Sequence, residues 1–204
     1  MRPRQLALGL IAVLIVACSG PQATPTPTAE PTPTAEPTPT ASPSPSPTPS
    51  ATELPTLTHS EAAQAYLEGA AGYDAVSLPL EIESQLVTQL SESLQSDPSS
   101  VAAFRGFAVA SMAQGGTGVA VGIVFDADPS YTSLPGFFED MTLGIAEAGN
   151  PGETTTVAGL AGYVTSTPDG VMLVYLDGNL IVMVVGADQP SLTALAEALI
   201  AGNA

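Results

Sequence analysis

Asp126-Ala127-Asp128 sets two carboxylates two residues apart at the end of an apolar run. In an extended backbone, residues at that spacing lie on the same side. The pair is therefore a candidate for holding a divalent cation through oxygen ligands. Glu139, Asp140 and Glu147 follow on a segment that reads as a helix, and two carboxyl groups facing across a cleft would suit glycoside hydrolysis. No tryptophan is present to stack on a sugar, and the acidic spacing lacks the Asp/Asn/Gly rhythm of a calcium-binding loop. Solvated, turn-forming carboxylates are the competing reading. Arg105, between Phe104 and Phe107, is either half of a structural ion pair or a planar fork for a ligand carboxylate.

Other chemistries lack their residues. Without lysine there is no phosphate-loop lysine, Schiff base or Ser-Lys pair. His59 is the sole histidine; it stands at the boundary of a proline-rich tract, where a solvated residue in a first helical turn is expected. Gly115-Gly116-Thr117-Gly118 has no helix after it and reads as a turn, not a phosphate cradle. No catalytic residue and no cofactor are expected.

Cys18 is the sole cysteine. Arg2 and Arg4 precede it, followed by Leu6–Ala17, twelve apolar residues in succession. A basic start, a short apolar segment and a small residue at the cut form the layout of an export signal. Twelve helical residues rise only about 18 Å, short of the roughly 30 Å hydrocarbon core. Ile15-Val16-Ala17-Cys18 resembles the lipobox of bacterial lipoproteins. The resemblance implies cleavage after Ala17, diacylation of Cys18 and anchoring at the outer face of the cell membrane. The competing reading is a secreted protein with one stray cysteine.

From Cys18 onward the chain carries 20 acidic side chains against Arg105, a formal charge of −19. Nucleic acid and anionic head groups should repel it, since binding to either relies on Lys and Arg. Cationic ligands remain open, as does the plainer use of charge for solubility.

Residues 18–56 form the next division. Three hexads, Pro25–Glu30, Pro31–Glu36 and Pro37–Ser42, lead into an alternating Ser-Pro/Thr-Pro run ending at Pro49. Proline at nearly every second position predicts disordered polyproline II, a spacer of at most about 110 Å. Residues 57–204 are rich in Ala, Val, Leu and Ile and long enough for a single domain. Helices are predicted from a Thr58-x-x-Glu61 capping box to about Gly72, over 81–95 with Asp97-Pro98 as its stop, over 134–148 and over 190–201. Ile82, Leu86, Leu90 and Leu94 give the second an amphipathic period. Strands are predicted at 101–112, 117–126, 154–165, 171–176 and 180–187, with turns at Gln114-Gly115-Gly116, Thr167–Gly170 and Asp177-Gly178. The expected class is α+β, order ααββαβββα: about five mostly antiparallel strands, helices on one face, and the 171–187 hairpin at the centre.

Val157-Ala-Gly-Leu-Ala-Gly-Tyr-Val164, the apolar hairpin from Val171 to Val184 and the helix after Asp188 resemble the closing βββα unit of PsbP-like small bacterial lipoprotein domains. That resemblance covers about 50 residues, implies a binding or assembly role and transfers no site. The expectation is a monomeric, surface-anchored, non-catalytic binding module for a cationic or small apolar ligand. A structural or sensory partner of an envelope protein is the alternative, and a carboxylate- or metal-dependent hydrolase the last. An enclosed apolar pocket would favour a small ligand, an exposed apolar patch a protein partner, and carboxylates converging in a cleft an enzyme.

Overall fold

The computed structural model describes residues 58–95, 103–168 and 170–204, and for 89–95 the backbone only. The expected signal, Cys18, the whole proline-rich tract of residues 18–56, the Asp97-Pro98 stop, the start of the strand expected from Val101, and Asp169 of the Thr167–Gly170 turn lie outside these residues. In chain order the elements are α1 (Glu61–Glu68), β1 (Asp74–Val76), α2 (Leu80–Gln95), β2 (Phe104–Gln114), β3 (Thr117–Ala127), α3 (Pro129–Thr132), α4 (Phe137–Glu147), β4 (Gly152–Val157), β5 (Leu160–Thr167), β6 (Gly170–Asp177), β7 (Leu180–Gly186) and α5 (Gln189–Gly202).

The class is α+β, with every strand pairing antiparallel in one seven-stranded sheet ordered β1-β2-β3-β7-β6-β5-β4. β7 is the middle strand, and Met172–Tyr175 and Ile181–Val184 are buried on both faces, as their unbroken apolar runs predict. Seven strands replace the five expected. The run predicted as one strand over 154–165 is two, because Ala158 and Gly159 close a tight hairpin at φ 47 and 88. That is the type I′ geometry, which favours Asn-Gly; alanine at its first position gives no such signal. β1 adds the seventh strand, three residues too short to show alternation. The turn read at Asp177-Gly178 is shifted by one, since Asp177 pairs with Leu180 across Gly178-Asn179.

Helices cover both faces, not one. α1 and α5 lie on one face over Ala108, Ala110, Met112, Val124, Leu173, Tyr175, Val182 and Val184. α4 lies on the other, setting Phe137, Phe138, Met141 and Ile145 against Phe107, Ile123, Phe125, Met172, Val174, Ile181 and Met183. The split follows from strand parity: successive residues of β2, β3, β6 and β7 are apolar, so each strand buries both sides. The expected capping box is also displaced. Ser60, not Thr58, caps α1, its hydroxyl accepting from the Ala63 amide. Thr58 and Ser60 instead flank β2, with Phe107 N donating to Thr58 O at 3.0 Å and Ser60 N to Phe107 O at 2.9 Å. His59 is exposed in that extended stretch, before the helix begins.

Candidate functional site

Asp126 and Asp128 end β3 where three elements meet. Between Phe104 and Gly106 the pairing of β2 with β3 slips by one residue, leaving Arg105 as the extra residue of a bulge. A bulge re-aims its side chain, and Arg105 is 54% exposed with Nη2 at 3.4 Å from Asp128 Oδ2. Asp128 also caps α3, its Oδ1 accepting from Ser130 N at 2.8 Å. The Ser130 bonds, and then the Arg105 charge, hold the Asp128 carboxyl below the usual carboxylate range. Of the two readings of Arg105, the ion pair is the one seen.

Asp126 faces the α1 side of the sheet. Its Oδ2 accepts from the Ser60 hydroxyl at 3.1 Å and its Oδ1 from Asn179 Nδ2 at 2.7 Å. It thus ties the start of α1 and the β6–β7 turn to β3. Asp126 and Asp128 each have protein partners of their own. Glu139 and Asp140 open α4, over the opposite face, and Glu147 ends it. Among the described residues no group of three or more His, Cys, Asp or Glu side chains gathers at metal-binding distances.

The sequence reading missed a buried phenol pair beside this corner. Asp126 pairs with Leu180 and Leu180 with Asp177, so both carboxylates stand in one cross-strand row. Tyr66 of α1 donates to Asp177 Oδ2 at 2.9 Å, and its oxygen lies 3.3 Å from that of Tyr175. Burial, then the neighbouring Tyr175, pushes the Tyr66 hydroxyl well above its usual range. Burial likewise raises Tyr175, which is fully enclosed. Only the position of Asp177 at the end of an apolar strand hinted at such a polar seam.

Two surface features remain. An open groove of about 460 Å³ runs along the β4 edge, lined by Glu153, Thr154, Thr155, Thr165, Ser166 and Gln189 among others. Elsewhere, α2 carries the amphipathic period its sequence predicts, yet Leu80 is 80% and Ile82 48% exposed, and Val76 just before it is 50% exposed. Of the side chains described on α2, Val87 is the one packed against a core. No family model, curated protein or solved structure matches the chain.

Proposed function

We propose that this chain is an exported bacterial lipoprotein, held by acylated Cys18 and raised on its proline-rich tract, whose domain docks another envelope protein without catalysis. The observation that carries the partner reading is the apolar set Val76, Leu80 and Ile82, which neither core takes in. Apolar side chains such as these stay in water only at a cost of about 25 cal/mol per Å². Exposed apolar side chains that adjoin one another mark contact sites. The corner at Asp126 supports the non-catalytic half: its carboxylates tie strands and caps together, and the nearby phenols are held protonated. The β4 groove is lined largely by threonine, serine and acid or amide groups, which suits a small apolar ligand poorly.

Photocrosslinking in cells tests the partner reading, with the reactive group at position 82 and a control at exposed Glu197 on α5. A discrete protein adduct from 82, absent from 197 and lost on Leu86→Glu, supports the contact. Equal adducts from both positions, or none from 82, reject it. Mass spectrometry of the membrane-bound form should find Cys18 acylated at the new N-terminus; a chain that keeps residues 1–17, or an unmodified Cys18, rejects the anchor.

A further inference from the structure

The two ends of the sheet differ. β1 has three residues, and Thr58–Ser60 runs along part of the remaining edge of β2. β4, at the opposite end, has six, with residues 152–154 and 156 exposed. Sheets blunt such an edge with lysine, proline or a bulge, because its free peptide groups template another strand. Within β4 none of these occurs. The hairpin defines which peptide groups are free. Across a two-residue loop Val157 and Leu160 form a hydrogen-bonded pair, so Val157, Thr155 and Glu153 direct their N–H and C=O to β5. Thr154 and Thr156 direct theirs outward, a template for roughly four backbone bonds to one added strand. Its start is pinned in advance: Thr165 Oγ1 donates to Pro151 O at 2.8 Å and the Tyr163 hydroxyl to Asn150 O at 3.2 Å. A template already in place loses little freedom when a strand joins it.

Charge selects the occupant. Glu153 is the one charged residue of β4, and alternation puts it on the same side as Val157, the side of α5. There it lines the open groove with Thr155, Val164, Ser166 and Gln189, and Asp188 caps α5 just before Gln189. The domain from residue 57 bears 17 acidic residues against Arg105. Arg105 lies at the β2 end of the sheet, about five strand spacings or roughly 24 Å from β4. Exposed charges are screened over about 10 Å at 0.1 M salt, so no cation of the domain offsets Glu153. A second copy of the domain would bring the same negative charge to the edge, and an acidic segment would meet the same repulsion. A strand with Lys or Arg at alternate positions sets its cations beside Glu153 while its backbone meets Thr154 and Thr156. We propose that β4 is a docking edge for an extended basic segment of another polypeptide, which joins the sheet as an eighth strand. This contact does not rest on the apolar set around Val76, which belongs to β1 at the other end of the sheet.

The probe is the peptide Lys-Thr-Lys-Thr-Lys-Thr-Lys, added to the full chain in uncharged detergent micelles at low salt. With its lysines on the Glu153 side, its threonine amides face β4. Two further peptides of the same charge carry N-methyl groups, one on the threonine amides and one on the lysine amides. The threonine-methylated peptide should bind at least about tenfold more weakly than the lysine-methylated one, since only the former loses the bonds to the edge. Saturating unmethylated peptide should slow amide exchange at Thr154 and Thr156 at least about tenfold, with Thr155, bonded to β5, as the internal reference. Glu153→Gln should weaken binding of the unmethylated peptide at least about threefold. Equal binding of the two methylated peptides overturns the proposal, leaving only general attraction to an acidic domain. Unchanged exchange at Thr154 and Thr156, or unchanged affinity in Glu153→Gln, overturns it as well. So does protection that grows with protein concentration in the absence of peptide, which gives the edge to a second copy.

Discussion

The two faces of this sheet are covered by different means. Under α1 the strands offer Gly106, Ala108, Ala110 and Gly122; the extended segment leading into α1 comes so close that a Cβ on Gly106 would stand 2.6 Å from the Thr58 carbonyl oxygen, and α1 itself so close that one on Gly122 would stand 2.7 Å from Leu67 Cδ2. α5 completes that face with Leu192, Leu195, Ala196 and Leu199, each fully buried. The opposite face carries phenylalanines and methionines beneath α4, while at its margin Val87, Val109, Val121 and Val185 are only partly buried. Small residues allow backbone-to-backbone closeness and a sealed layer; large ones fill space and leave seams where a helix stops. The sealed face is architecture, and the seamed one, with α2 beside it, has surface to spare.

Leu195→Ala should break this contrast most, since it opens a void in the sealed layer: a loss of about 2–5 kcal/mol in chemical unfolding. Gly106→Ala should cost about 1–3 kcal/mol by overpacking, and its signature would be faster amide exchange at Ser60, whose bond to Phe107 it strains. The sealed face, with two buried phenols against one, should also be the more alkali-sensitive one. Tyr66 and Tyr175 have folded-state pKa values raised above the usual phenol value of about 10, so above that pH the unfolded chain has lost protons the fold keeps. Stability is then whole below pH 10 and falls as pH rises, by about 1.4 kcal/mol per pH unit for Tyr175 alone. Tyr175→Phe should flatten that limb in a pH series of unfolding midpoints. On the other side, Ile82→Ser should shift stability by no more than about 0.5 kcal/mol, measured by the same unfolding. A larger loss would mean that Ile82 is core after all.

Much of the scaffold was legible because its signals are local. α2 and α5 fall within a residue of their predicted starts, and the glycine pair between β2 and β3 turns where expected. What escaped depends on partners distant in sequence. A four-residue apolar period marks a helix with an apolar stripe but does not say whether anything covers it, and on α2 Leu80 and Ile82 are not covered. Apolar residues on both sides of β2 and β3 signalled helices on both faces and were read as one-sided. At the site, the ion pair of Arg105 and the position of Asp126 and Asp128 at a strand end were within reach. The bonds from Ser60 and Asn179 to Asp126 span 66 and 53 residues, and that from Tyr66 to Asp177 spans 111. No window of sequence contains such pairs.

Asn203 donates through its side-chain amide to the carbonyls of both Tyr66 and Leu199, at 2.9 and 2.8 Å, fastening the last residues of the domain to its first helix. Because α1 is eight residues long, only about 12 Å of helix separates that fastening from Ser60. The fold is thus almost a closed ring. A linker of roughly five residues from Asn203 to Thr58, with new ends cut at the Gly115-Gly116 turn, would give a circularly permuted domain of the same architecture that could be carried within another protein.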